Sequence, residues 1–207
     1  MPLSLVGLDL ASAFYVRQAG KEATRVLVLG SADGRVAFAL GGRGHRVVAV
    51  EPSLRMHTTA AENRTDTTAA VTLVNADLRS VRLETKFGVV VAPQNALGLM
   101  GSPDELEAAL ATVRFHLADD GVFAFDLRSD LDTDSSPLGR PAFAAHMRER
   151  AGQSVRRLRR HAFTPQQVDA TLGRVGLEAR ERYGDFLSRP WEDADAQQVV
   201  VAGAKPG

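Results

Sequence analysis

Gly30 and Gly34 bracket Ser31, Ala32 and Asp33, directly after the apolar run RVLVL at 25–29. Small residues there let a ligand approach the backbone and the positive N-terminus of a following helix. Glu51 ends the next apolar run, RVVAV at 46–50. A carboxylate so placed can accept two hydrogen bonds from a ribose diol, as in nucleoside sites. Asn75-Ala76-Asp77 follows the run AVTLV at 70–74, where a polar side chain can meet a base edge. A glycine turn after a strand is common in α/β proteins, so the weight lies on the three features together.

The elements that must position these residues alternate. Short continuous apolar runs read as strands buried on both faces, as in a parallel sheet. They fall at 25–29, 46–50, 70–74, 87–92 (FGVVVA) and 122–127 (VFAFDL). Helices are predicted at 35–40 and about 53–63. Another opens at Ser102-Pro103-Asp104-Glu105, where Ser102 caps, Pro103 suits the first helical position and Glu105 completes a capping box. Leu106, Leu110, Val113 and Leu117 then recur at helical spacing, with Gly121 ending the turn. Thr164-Pro165-Gln166-Gln167 repeats the capping pattern, Val168, Leu172 and Val175 supply a buried face, and Gly176 stops the helix. Strands near 177–186 and 197–203 close the chain as an antiparallel hairpin, because no helix fits between them. The expected fold is α/β: a seven-stranded, mostly parallel sheet with an antiparallel last strand and helices on both faces. One domain spans 1–207, with a short cap or insertion at about 128–160.

Composition narrows the classes. The chain has 207 residues, 44% of them apolar, so it can bury a core without staples. With no cysteine, a disulfide scaffold, a thiolate zinc site and a cysteine nucleophile are excluded. With 25 basic and 25 acidic residues, the balance is neutral and argues against a general nucleic-acid or membrane-surface binder. No apolar run approaches the roughly 20 residues a bilayer span needs, and the N-terminal stretch lacks signal-peptide character, so a cytoplasmic protein is expected.

The stretch from Val26 to Met56, VLVLGSADGRVAFALGGRGHRVVAVEPSLRM, resembles motif I and the acidic loop of class I S-adenosylmethionine (SAM) dependent methyltransferases. FGVVVAPQNALGLMGSPDELEAALATVRFHLADDGVFAFDL resembles the family's fourth strand, following helix and fifth strand, and FTPQQVDATLGRVGLEARERYGDF its C-terminal helix and strand. The resemblance implies a Rossmann-like fold, SAM as cofactor and a small-molecule acceptor methylated on O or N. By the same resemblance Gly30, Ser31, Ala32, Asp33 and Gly34 border the methionine part of SAM, and Glu51 holds the ribose hydroxyls. Pro52, Ser53 and Met56 lie near the adenine, and Asp77 with Leu78 meets the adenine amino group. Pro93, Gln94 and Asn95 face the sulfonium and the acceptor.

The pattern is degenerate at named positions. Val28 stands where the family places an acid, Ala32 where it has its central glycine, and Gly88 where an Asp usually follows the strand's Phe. If Ala32 needs a positive φ, its methyl costs about 1 kcal/mol. Asp33 either replaces the missing acid or repels the SAM carboxylate. The segment before the first strand is short, with only Phe14 and Tyr15 as aromatics to close over a cofactor. These departures keep a second reading open: a methyltransferase-like subunit with weak or no SAM binding, serving binding or assembly.

Among the histidines, His45 is expected at the wrong end of its strand, His57 near the adenine, and His116 exposed on its helix. His146 and His161 lie in or beside the insertion and are best placed to take a proton from an acceptor, His161 being the candidate catalytic base beside Gln94 and Asn95. The run 148–161 holds six arginines and one glutamate. It reads either as a solvated cap or as a cradle for an anionic acceptor or acidic partner. A homo-oligomer or protein contact through this basic cap and the C-terminal hairpin, which carries Trp191, is the expected interaction surface. Asp126, Asp130, Asp132 and Asp134 lack the closing glutamate and glycine of a calcium loop, so no metal site is expected.

Overall fold

The computed structural model describes residues 8–65, 70–128 and 162–206. Its strands are β1 (Arg25–Leu29), β2 (Arg46–Val50), β3 (Val71–Val74), β4 (Phe87–Ala92), β5 (Leu117–Arg128), β6 (Leu177–Tyr183) and β7 (Gln197–Ala204). They form one seven-stranded sheet in the order β3-β2-β1-β4-β5-β7-β6. The first five strands run parallel, and β7 lies antiparallel to both β5 and β6. The strand order reverses between β1 and β4, where a doubly wound sheet opens a crevice at its carboxyl edge.

Alternation along each strand feeds two cores. Leu27, Leu29, Val90, Phe123 and Phe125 pack on one face with Leu106, Leu110 and Val113 of α4 (Pro103–His116) and Val168 and Leu172 of α5 (Pro165–Arg174). Val26, Val28, Val89, Val91 and Ala124 pack on the other with α1 (Leu10–Ala19) and α2 (Arg35–Gly41). The inner strands β1 and β4 are apolar on both faces because helices cover both. α3 (Leu54–Glu62) packs beside the outer strand β3.

The predicted caps form, with one difference. Thr164 and Gln167 make a complete capping box. At α4, Ser102 Oγ accepts the Glu105 amide, but the Glu105 carboxylate reaches back to the Gly101 amide at 2.6 Å, one residue beyond a standard box. The end of α4 also differs from expectation. The helix stops at His116 and Leu117 already pairs with Phe87 in the sheet. The pairing slips before resuming at Val89–Val122, so Gly121 lies in a bulged strand instead of ending a helix.

α1 is the element least visible in the sequence. Asp9 caps it by accepting the Ser12 amide at 3.0 Å. Phe14, Tyr15 and Val16 are all fully buried, so the helix has no single apolar stripe. Phe14 meets Tyr183 and Phe186 edge-on, and Tyr15 meets Phe186. α1 is thus wedged between the sheet, α2 and the loop after β6.

Candidate functional site

The turn after β1 is built from left-handed residues. Gly30, Ala32 and Gly34 have φ of 74°, 49° and 87°. Gly30 must be glycine for packing as well, since a Cβ there would lie 2.5 Å from Ala96 Cβ. Ala32 takes a conformation that costs an L-residue about 1–2 kcal/mol. The amides of Gly30 and Ser31 both donate to the Val50 carbonyl, which binds the turn to the end of β2. Ser31 Oγ is buried and has no hydrogen-bond partner among the described residues. An orphaned hydroxyl at a glycine turn is a group a ligand can satisfy.

Glu51 stands at the end of β2 and is 8% exposed. Its Oε2 accepts the Ala32 amide at 2.8 Å and its Oε1 the Ser53 amide at 2.9 Å. Asn75 Nδ2 donates to the Glu51 carbonyl at 2.7 Å and to that of Pro52 at 3.2 Å, which ties β2 to the end of β3. Each carboxylate oxygen keeps a second lone pair, so Glu51 can still receive two hydroxyl donors.

Asp33 is half-buried; its carboxylate accepts the Arg35 amide at 3.3 Å and its carbonyl the Asn63 side chain. Pro52 is exposed, and Met56 and His57 are half-buried on α3. Asp77 is clasped by Arg79, whose Nε and backbone amide donate to Oδ1 at 3.0 and 2.8 Å. That hydrogen bonding holds the Asp77 carboxyl below its usual range. Leu78 is buried in the core beneath Gly30. Val28 is fully buried against the α1–α2 side, so an apolar contact stands where the resemblance implies an acid.

After β4 comes buried Pro93, then two consecutive left-handed residues, Gln94 (φ 61°) and Asn95 (φ 56°). Gln94 is half-buried. Asn95 is 6% exposed, and its Oδ1 accepts the Arg128 amide at 3.2 Å. The group that holds this turn is Asp126, at the end of β5. Its Oδ1 accepts the Gln94 amide at 2.7 Å and its Oδ2 the Asn95 amide at 2.8 Å. Tyr15 Oη donates to the same carboxylate at 2.5 Å. Burial pushes the Asp126 carboxyl up, against the opposing hydrogen bonds, and burial beside Asp126 pushes the Tyr15 phenol well above its ordinary value.

Sequence reasoning missed Asp126 in this role by grouping it with the aspartates that follow. The signal was present: an acid ending an apolar strand, VFAFD, as Glu51 ends RVVAV. His161, His146 and nearly all of the basic cap lie outside the described residues. His116 is not exposed as expected. It is fully buried, with Nδ1 on the Thr112 carbonyl at 2.8 Å and Nε2 accepting the Leu83 amide at 2.9 Å. His45 lies at the opposite edge of the sheet, before β2, as expected. No metal cluster occurs among the described residues, and no described helix is long and apolar enough to cross a membrane.

Ends of β1, β2, β4 and β5 thus converge at the strand-order reversal, with Glu51 and the left-handed turns at its rim. A family profile described as a methyltransferase domain matches residues 26–121. The chain is similar to the cypemycin N-terminal methyltransferase of a Streptomyces species, 27% identical over 201 residues, covering 85% of this chain and 81% of that protein. The CcbJ methyltransferase of Streptomyces caelestis shares the fold with a TM-score of 0.75 at 22% identity, over 96% of this chain and 90% of that one. The glycopeptide N-methyltransferase MtfA, solved with SAM, shares it with a TM-score of 0.68 at 21% identity, over 98% and 89%. Residues 26–121 thus match a methyltransferase domain, and the chain as a whole shares the fold of solved SAM-dependent methyltransferases.

Proposed function

We propose that this chain binds SAM across the ends of β1, β2 and β4 and transfers its methyl group to a nitrogen of a small molecule or peptide terminus. The observation that carries the reading is the Glu51 carboxylate joined to the left-handed turn Gly30–Gly34 at the strand-order reversal. The preference for nitrogen is supported by the relatives named above for N-terminal and glycopeptide N-methylation.

Gly30, Ser31, Ala32 and Gly34 would border the methionine part of the cofactor, with the orphan Ser31 hydroxyl available to it. Glu51 would receive the ribose hydroxyls on its spare lone pairs while its other pairs keep the turn closed. Pro52 and Met56 flank the adenine side, and Asp77 would share its carboxylate between Arg79 and the adenine amino group. SAM supplies an activated methyl group on a sulfonium, so that in-line positioning furnishes most of the acceleration. Pro93 and Gln94 form the wall toward the acceptor, and Asn95 braces that wall to β5. A non-catalytic, methyltransferase-like role is the second reading, and it is favoured by the apolar contact at Val28 in place of an acid.

The test uses methyl-labelled SAM with a short peptide bearing a free α-amine, its N-acetylated form, an amino sugar and a hydroxyl-only analogue. Label on the amines and none on the acetylated peptide is expected. Label on the hydroxyl analogue alone moves the acceptor to oxygen. No label anywhere, with no saturable binding of S-adenosylhomocysteine, supports the non-catalytic reading; no label with S-adenosylhomocysteine bound keeps the cofactor site and places the acceptor outside these four compounds.

A further inference from the structure

Tyr15 and Asp126 stand 111 residues apart in sequence and share a buried hydrogen bond of 2.5 Å. Asp126 also holds the amides of Gln94 and Asn95, and its three donors together suit an ionised carboxylate, which accepts only. Two successive left-handed residues without glycine are disfavoured, by about 1–2 kcal/mol at Gln94 and by less at Asn95, a type that tolerates this region, so the turn persists only where neighbours over-determine it. The neighbour here is one carboxylate, and what completes its hydrogen bonding is a phenol carried by α1. Among the described residues Tyr15 is the side chain that donates to Asp126; the other donors are the backbone amides of Gln94 and Asn95.

We propose that Tyr15 and Asp126 are positioning residues: they latch α1 to the Gln94–Asn95 turn, and this latch sets the acceptor-facing wall for methyl transfer. The inference rests on the function proposed above, because the wall matters only if an acceptor meets it. α1 therefore reaches the site from beneath, through the carboxylate. It does not act as an aromatic cover over the cofactor, since Tyr15 is fully buried. Loss of the phenol leaves the turn with two of its three anchoring bonds around the charge. The Gly30–Glu51 region makes no bond to Asp126 or Tyr15, so cofactor affinity and turn geometry should separate.

Tyr15→Phe keeps the ring and its contacts with Phe14 and Phe186, and removes only the hydroxyl. Asp126→Asn is the second variant; its single carboxamide oxygen cannot serve both amides. Exchange of the Gln94 and Asn95 amide protons, read by NMR, should accelerate about tenfold or more in each variant. With the peptide amine as acceptor, kcat should fall about tenfold while the KM for SAM and the Kd for S-adenosylhomocysteine stay within about twofold. Unchanged exchange at both amides overturns the latch. A drop in cofactor affinity parallel to the drop in rate overturns the positioning role, since a general structural loss would move both. If the unmodified protein transfers no label, the proposed function fails and the exchange rates alone still decide the latch.

Discussion

The amide of Ala32 donates to Oε2 of Glu51 at 2.8 Å, across 19 residues of sequence. The bond joins the one strained non-glycine residue of the β1 turn to the carboxylate that ends β2. Strain and anchor therefore belong to one unit: the bond to Glu51 holds Ala32 where its Cβ is disfavoured.

Ala32→Gly should release that strain. Glycine adopts positive φ freely, although it loses more chain entropy on folding. The net expectation is a gain of about 1 kcal/mol, a rise of roughly 2–4 °C in Tm for a chain of this size. Scanning calorimetry checks it, and an unchanged or lower Tm would show that the surroundings already compensate for the alanine.

Glu51→Gln should do the reverse. The two amides are held by separate carboxylate oxygens, so in the carboxamide one of these part-buried amides faces an NH2 group. A loss of about 1–3 kcal/mol in urea unfolding is expected. Affinity for S-adenosylhomocysteine should fall about tenfold or more with it.

Most of the architecture was legible because strands buried on both faces are written as unbroken apolar runs such as RVLVL and RVVAV, and because Ser102 and Thr164 announce their helices. α1 was not, since Phe14, Tyr15 and Val16 are buried in succession and leave no helical stripe to read. His116 was misplaced because its helix was extended through Leu117, when Ala109, Val113 and His116 in fact share the buried side. Of the site, Gly30, Gly34 and Glu51 were visible as types at strand ends. The holding of Gln94 and Asn95 by Asp126 was not, because it depends on two consecutive left-handed backbones, a conformation that Asn favours but Gln does not announce.

His116 should make stability depend on pH. Its Nε2 accepts the Leu83 amide, so the ring must be neutral, and burial lowers its pKa; burial lowers that of His45 as well. The folded protein then takes up these protons less readily than the unfolded chain. Stability is complete above the ordinary imidazole value of about 6.5 and is lost as pH falls from there through the lowered native values. Urea midpoints between pH 8 and 5 (about 6.5 being the onset) should decline on the acid side. His116→Phe should cost about 1–3 kcal/mol at neutral pH by orphaning the Leu83 amide, and should flatten that decline.

Calorimetric titration of the purified protein with S-adenosylhomocysteine tests the central claim most directly. One saturable site with a Kd below about 100 μM, equivalent to roughly −5.5 kcal/mol or tighter, is predicted, weakened in Glu51→Gln. Absence of saturable heat, with no rise in Tm at millimolar ligand, would contradict the assignment of the Gly30–Glu51 region as a cofactor site.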